Sequence, residues 1–389
     1  MIGEVWFAVI LLCLVMYVTL DGYDLGIGIN LLLVRRARHR RYLVDVVATA
    51  WDGNESWLIL LAVALWGGFP LAFGAMLPYV FLPMIFVLFG LIVRGVSIEM
   101  VSESEPLHRG WLAGFTFGSL IAAFAQGVVF GGLTSNVTMV DGAFAGSAFD
   151  VFTPYSMLTG VTTVLLYATL GAGFIRLKAD AADAEISERA SRDGRVFLGF
   201  ATVLSALCAL SVNATDAPLQ LGSPARMVLF VLFALVAAGG AVVAFVTFPR
   251  PSRASRSESG EGRSAADAQG SRSGSLPFVA VTASVVAGLL AYAVARYPTI
   301  VPPDLTIATA RAPSQTLDFL LIGVGLNIPL VLFYNWYAHR EFRGKYRVPR
   351  EQRPPGTSAL SYALSPSRRR STATPAPSAA TTAVKGDDS

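Results

Sequence analysis

The chain has 389 residues, of which 54% are hydrophobic and only 14% are charged, and its mean hydropathy is +0.57. Soluble domains carry about 25% charged residues, so this composition excludes an ordinary soluble enzyme and indicates a polytopic membrane protein. The net charge of +4 does not indicate nucleic-acid binding, because the basic residues lie in short loops beside apolar runs and no binding fold accompanies them.

Apolar runs separated by turn residues predict an all-α fold with about nine transmembrane helices. The predicted spans are 5–34, 54–73, 77–98, 111–133, 154–176, 195–213, 225–248, 277–296 and 317–338. The first run follows Glu4, where a signal peptide would carry basic residues, and it is longer than a signal-peptide core. We therefore expect the first span to be retained.

Basic residues are distributed unevenly between the two predicted faces. The segments 35–41, 94–109, 176–195 and 250–272 and the tail from 340 onward together hold 27 of the 30 Lys and Arg residues. By the positive-inside rule this face is cytoplasmic. The amino terminus is therefore predicted to lie outside and the carboxyl terminus in the cytoplasm.

The composition also divides the chain. Residues 1–248 hold predicted spans 1–7, and residues 276–348 hold spans 8 and 9. The segments 249–275 and 349–389 are rich in Ser, Arg, Pro, Ala and Gly and lack apolar periodicity, which is typical of a disordered linker and tail.

The first span contains the sequence LDGYDLGIG, with Asp21 and Asp24 inside an apolar run. An acid near the bilayer centre costs roughly 2.5–3.5 kcal/mol, so something must offset that cost. The two acids share one helix face, and Gly22 and Gly26 form a small-xxx-small pair that lets another helix approach. We expect the acids to face protein, either as a hydrogen-bonded packing site or as part of a proton or ion path.

A second polar stretch, WDGNESW, opens the second predicted span at its cytoplasmic end. It comprises Trp51, Asp52, Gly53, Asn54, Glu55, Ser56 and Trp57. Asp52 is placed to cap the helix, where the dipole favours an acid by about 0.3–1 kcal/mol. The other polar groups exceed what a cap requires, which favours a hydrated mouth through which protons enter.

Arg94 and Glu99 end the third predicted span on the same side. The preferred interpretation is that these side chains extend to the interface, and pairing with the polar mouth is the alternative.

The three histidines, His39, His108 and His339, all lie in or beside cytoplasmic loops. A membrane haem or copper site needs ligands on the spans, usually imidazole, so we expect this chain to ligate no metal. The sequence contains no phosphate-binding loop, dinucleotide fingerprint, nucleophile elbow or CxxC pair.

Taken together, these motifs resemble subunit II of the cytochrome bd family of quinol oxidases. The segments that carry the resemblance are DGYDLGIG (21–28, including Gly28), WDGNESWL (51–58), VRGVSIEM (93–100), YPTIVPP (297–303) and LIGVGLNIPLVLFYNWY (321–337). They extend over nearly the whole membrane portion.

The resemblance implies an obligate heterodimer with a haem-bearing subunit I in a bacterial plasma membrane. That subunit holds haems b and d, and the complex oxidises quinol and reduces oxygen to water. The implied fold has two four-helix bundles and one peripheral helix. Some family members hold a quinone in subunit II, and small accessory subunits are also implied.

Residue by residue, the resemblance places Asp52 on a cytoplasmic proton-uptake path, with Trp51 before it. Asp21 and Asp24 match the acids of the first-span motif, and Glu55 is the remaining acid of the predicted path. Two alternatives stay open: a proton-coupled transporter, which would need a substrate site at broken helices, and a purely structural assembly partner.

Overall fold

The computed structural model describes residues 2–103, 108–135, 137–140, 143–179, 184–212, 215, 221–248, 266–303 and 305–341. The predicted tail 349–389 and residues 249–265 of the predicted linker lie outside this set. The last part of that predicted linker, from Ala266 onward, belongs to a helix.

Helices form almost all of the regular structure. Their bounds are α1 Ile2–Asn30, α2 Ala37–Ala48, α3 Trp51–Gly68, α4 Pro70–Tyr79, α5 Phe81–Glu103, α6 Arg109–Gly132, α7 Pro154–Lys178, α8 Ala184–Ser211, α9 Pro224–Thr247, α10 Ala266–Arg296, α11 Ile307–Ala310 and α12 Ser314–Glu341. A 3₁₀ turn, Leu31–Leu33, extends α1. Two antiparallel strand pairs complete the described structure: β1 (Met139–Val140) with β2 (Ala143–Phe144), and β3 (Thr299–Val301) with β4 (Leu305–Thr306).

Eight of the described helices are long and apolar enough to cross a membrane: α1 with its extension, α5, α6, α7, α8, α9, α10 and α12. The fold class is therefore all-α and polytopic, as predicted. The difference from nine spans is the predicted span 54–73, which divides into α3 and α4 around Phe69. The first five residues of α3 include Asp52, Asn54 and Glu55, which lower the hydropathy of that helix.

The amphipathic helix α2 was not predicted. It buries Tyr42, Leu43, Val44, Val46 and Val47 against the main hydrophobic core. The arginines that precede and open it dominate the sequence signal, which by itself indicates only a basic loop.

Helix α1 packs against α3, α6 and α7 and so lies at the centre of the fold. At Gly26 the backbones of α1 and α7 touch: a Cβ there would overlap the carbonyl oxygen of Tyr167, and Gly171 meets Gly26 in the same way from α7. Gly22 faces the Tyr167 ring, and Gly28 faces Ser119 of α6. The small-residue pattern therefore does bring another helix close, as predicted.

The opposite end of α1 is fixed by a second hydrophobic cluster, which includes Trp6, Phe69, Val301 and Leu317. The Trp6 indole Nε1 is buried and donates to the Leu317 carbonyl oxygen of α12 at 3.1 Å. Both ends of α1 are thus packed against protein, which fixes the position of the acids between them.

We predict that Gly26→Ala weakens the fold, because the added methyl group pushes α1 away from α7. Overpacking of this kind costs about 1–3 kcal/mol. The measurement is the fraction of detergent-solubilised protein that stays monodisperse after heating. Gly74→Ala in α4 is the control, since nothing lies within 4 Å of a Cβ there. Equal heat resistance of the two variants would contradict the proposed close contact.

Candidate functional site

Arg94 of α5 is the centre of a charged cluster between α1, α3 and α5. Its Nη2 atom lies 2.5 Å from Asp21 Oδ1 and 3.8 Å from Asp24 Oδ2, and its Nη1 atom lies 3.2 Å from Glu55 Oε2. The side chains of Arg94 and Asp21 are completely buried, and that of Asp24 is 1% exposed. The two first-span acids therefore face protein, as predicted, and an arginine compensates them.

The preferred interpretation of Arg94 as an interfacial side chain was wrong. The predicted span ended at 98, but α5 continues to Glu103, so Arg94 lies well inside the helix. From there its guanidinium meets the acids of α1 instead of the interface. Glu99 is exposed on α5 and takes no part in these ion pairs.

Asn54 joins α3 to α1 beside this ion-pair cluster. Its Nδ2 group donates to Asp24 Oδ2 at 2.8 Å and to the Tyr23 hydroxyl at 2.7 Å. Asn54 is fully buried, and the Tyr23 ring stacks on Phe174 of α7 with 4.0 Å between ring centroids. The amide therefore fixes the first turn of α3 against the acid face of α1.

The tryptophans of the WDGNESW stretch have separate positions. The Trp51 ring lies over the Arg94 guanidinium, with 5.5 Å from Cζ to the ring centroid. Trp57 is fully buried in a cluster with Cys13 and Tyr17 of α1. Between them, Gly53 leaves room for Tyr334 of α12, whose ring carbon would be 2.7 Å from a Cβ.

Asp52 is not the helix cap, so that prediction was wrong. The N-cap residue of α3 is Ala50, which makes no side-chain cap hydrogen bond, and Asp52 lies inside the first turn. The helix begins earlier than the sequence suggested, because α2 ends only at Ala48 and a short turn leads directly into α3. A carboxylate in the first turn still interacts favourably with the helix dipole.

Exposure decreases in steps from Asp52 to the cluster. Asp52 is exposed, the Glu55 side chain one turn later is 25% exposed, and Arg94 is buried. Residues three apart on a helix are neighbours on its surface. Asp52 therefore lies at the surface outside the cluster, Glu55 lies at the edge of the cluster, and Asp21 and Asp24 lie inside it.

The acids outnumber the basic group within the cluster. One guanidinium faces the three carboxyl groups of Asp21, Asp24 and Glu55. Among the described residues, Asp21 Oδ2 and Asp24 Oδ1 are buried and have no hydrogen-bond partner. Uncompensated charge is costly in such surroundings, so surplus carboxyl groups of this kind are suited to bind and release protons.

The three histidines are the candidate metal ligands of the chain. His39 is buried on α2, outside the eight candidate spans, and His108 is the N-cap residue of α6. The His339 side chain lies outside the part that the structure describes. In the described part of the chain, no group of three or more His, Cys, Asp and Glu side chains could hold a metal ion.

We predict that Arg94→Gln strongly destabilises the protein, because it leaves buried carboxylates without their cation. Breaking a buried ion pair costs about 3–5 kcal/mol. The measurement is the yield and heat resistance of monodisperse protein extracted from membranes. Arg94→Gln combined with Asp21→Asn should recover part of the loss, and Arg35→Gln, at an exposed arginine, is the control. Wild-type stability of Arg94→Gln would contradict the importance of the cluster.

Relatives of the chain are known. Cytochrome bd ubiquinol oxidase subunit 2 of Bacillus subtilis (strain 168) is 32% identical over 219 residues, which cover 55% of this chain and 64% of the relative. Cytochrome bd-I ubiquinol oxidase subunit 2 of Escherichia coli (strain K12) is 30% identical over 182 residues, which cover 45% of this chain and 48% of the relative. The alignments thus span between about half and two thirds of these relatives.

A solved structure shares the fold. The bd oxidase from Geobacillus thermodenitrificans contains a chain that superposes with a TM-score of 0.68 at 17% sequence identity, covering 88% of this chain and 98% of that chain. The eight candidate spans and the bacterial relatives together indicate a multi-pass protein of the bacterial inner membrane. The family model described as cytochrome bd terminal oxidase subunit II matches residues 2–342, so this chain belongs to that family.

Proposed function

We propose that this chain is the subunit II of a membrane complex that oxidises quinol and reduces oxygen to water. Its partner is a haem-bearing subunit I, with which it forms an obligate heterodimer. Family membership over residues 2–342 is the observation that carries this proposal. The names of the relatives from Bacillus subtilis and Escherichia coli support it.

Within the complex, the chain would stabilise subunit I and conduct protons from the cytoplasm. Reduction of oxygen to water consumes protons. If they come from the cytoplasmic side while quinol is oxidised near the outer face, charge is separated across the membrane without a pump. The charged cluster lies near the end of α1 that is predicted to be cytoplasmic, where such protons enter.

Asp52, Glu55, Asp21 and Asp24 would form the uptake path, in order of decreasing exposure. Asp52 collects protons at the surface, and Glu55 exchanges them with the cluster. Arg94 holds the inner acids in place through its ion pairs with them. The excess of carboxyl groups over the single guanidinium is the feature that supports proton exchange rather than packing alone.

The haems are assigned to the partner subunit. They supply the electron transfer and oxygen chemistry of the complex. The described residues of this chain do not fit a membrane haem, because His39 and His108 lie outside the candidate spans. This chain is therefore not expected to be catalytic by itself.

We predict that Glu55→Gln slows oxygen consumption more than Asp52→Asn does. Proton transfer by a positioned group is worth typically 10²–10⁴-fold, but water can substitute more readily at exposed Asp52 than at partly buried Glu55. The measurement is oxygen uptake by the purified complex at saturating quinol, normalised to haem content. Glu99→Gln, an exposed acid outside the cluster, is the control. Unchanged uptake in Glu55→Gln with normal haem content would exclude the proposed path.

We also predict that His108→Ala and His339→Ala leave the b- and d-type absorption of the purified complex intact, because the partner ligates the haems. The visible spectrum per mole of heterodimer is the measurement. A haem signal lost in either variant, with assembly preserved, would refute this assignment. A chain that copurifies with no haem protein at all would instead favour the transporter alternative.

A further inference from the structure

A second polar group, outside the charged cluster, lies between α1, α6 and α7. Gln126 of α6 is hydrogen-bonded to two tyrosines: its Nε2 donates to the Tyr17 hydroxyl of α1 at 2.7 Å, and the Tyr167 hydroxyl of α7 donates to its Oε1 at 2.9 Å. Tyr17 is 3% exposed and Tyr167 is 2% exposed. We call these three residues the Tyr–Gln–Tyr bridge.

The Tyr–Gln–Tyr bridge adjoins the inner end of the charged cluster. Tyr17 lies one helical turn before Asp21 on the same face of α1. Tyr167 contacts α1 at Gly22, the residue after Asp21. The charge of the Asp21 carboxylate interacts with the phenol groups of both Tyr17 and Tyr167. A proton that reaches Asp21 is therefore close to the hydroxyls of the bridge.

Polar side chains continue beyond the bridge toward the other end of α7. Thr163 and Thr159 lie one and two turns before Tyr167. Their hydroxyls donate to backbone carbonyls, Thr163 to Thr159 at 2.9 Å and Thr159 to Gly127 at 2.8 Å. Near that end of α7, a cleft of about 480 Å³ is lined by residues that include Tyr155.

Polar groups thus follow one another from exposed Asp52 to the cleft at the opposite end of α7. A continuous proton-conducting chain of this length would short-circuit the membrane. The threonine hydroxyls on the far side donate to backbone carbonyls, but a hydroxyl can rotate and also accepts, so it can pass on a proton that reaches it. The Tyr–Gln–Tyr bridge lies between the acids of the charged cluster and the hydroxyls of Thr163 and Thr159.

The chemistry of Gln126 differs from that of its neighbours. A carboxyl or hydroxyl group can accept a proton and pass it on, whereas the neutral amide does not ionise at physiological pH. Proton transfer through the amide would add a proton at Oε1 and remove another from Nε2, leaving the unfavourable imidic acid. The amide therefore joins the two tyrosines structurally without connecting them for proton transfer.

We propose that Gln126 closes the inner end of the proton path, so that protons entering at Asp52 and Glu55 do not cross to the opposite side of the membrane. This inference rests on the uptake path proposed above. It assigns Gln126 a positioning and insulating role that does not require contact with quinol, oxygen or haem.

The test is passive proton leak through the purified complex in sealed liposomes, without quinol. A potassium diffusion potential drives proton movement, which an enclosed pH dye reports. Gln126→Glu places an exchangeable proton in the bridge, and we expect leak at least about tenfold faster than in the wild type, given the typical value of a positioned proton-transfer group. Gln126→Met removes the hydrogen bonds but adds no exchangeable proton, and its leak should stay near wild type.

Wild-type leak in Gln126→Glu, with normal haem content and a monodisperse complex, would overturn the proposal. Equal leak in the Met and Glu variants would also overturn it, because packing rather than amide chemistry would then be responsible. If Gln126→Glu does not assemble, Gln126→His takes its place, since imidazole also exchanges protons. A wild-type rate of leak in Gln126→His would also overturn the proposal.

A double variant separates this inference from the proposed function. Adding Glu55→Gln to Gln126→Glu should abolish the extra leak if both residues lie on one path. If the extra leak persists in the double variant, Gln126 does not lie on the path that begins at Glu55. Failure of the uptake path itself appears instead as unchanged oxygen consumption in Glu55→Gln, a measurement that does not depend on the leak.

Discussion

The ion pair between Arg94 and Asp21 is the interaction on which the rest of the structure depends. Both side chains are completely buried in a bundle of apolar helices, and their nearest atoms are 2.5 Å apart. Neither charge would be tolerated there alone. The pair therefore fixes α5 against α1, and with Glu55 and Asn54 it also fixes the N-terminal end of α3.

The same face of α1 carries the other polar groups. Tyr17, Asp21 and Asp24 follow one another at helical spacing, and each meets a polar partner from a different helix. This arrangement requires close helix packing, which the backbone contact between Gly26 and Tyr167 provides. The glycines bring α7 against α1, and Tyr167 of α7 lies at that contact and donates to Gln126 of α6.

Part of this site could be predicted from residue spacing. The three-residue separation of Asp21 and Asp24 placed both on one face, and their cost in a membrane implied that they face protein. The burial of Arg94 could not be predicted in the same way, because hydropathy placed the end of the span near it, whereas α5 continues to Glu103. An unaccompanied arginine inside the apolar run 77–98 was the available signal.

Other features depended on contacts between distant segments. Asp52 was expected to cap α3, but the position of α2 starts the helix at Trp51 and leaves the N-cap to Ala50. The role of Gln126 cannot be predicted from residue spacing, because a single amide in an apolar run looks the same in the sequence whether it only packs in the core or forms hydrogen bonds. Its role becomes visible only when α1 and α7 bring two tyrosines to it.

We expect the carboxyl groups around Arg94 to exchange protons during turnover. Infrared difference spectra of the reduced and oxidised complex test it most directly, because carboxyl groups that change protonation give bands of their own. We predict a carboxyl band in the wild type that is lost or shifted in Glu55→Gln and in Asp24→Asn. Difference spectra without a carboxyl band, or with a band identical in all three proteins, would contradict it.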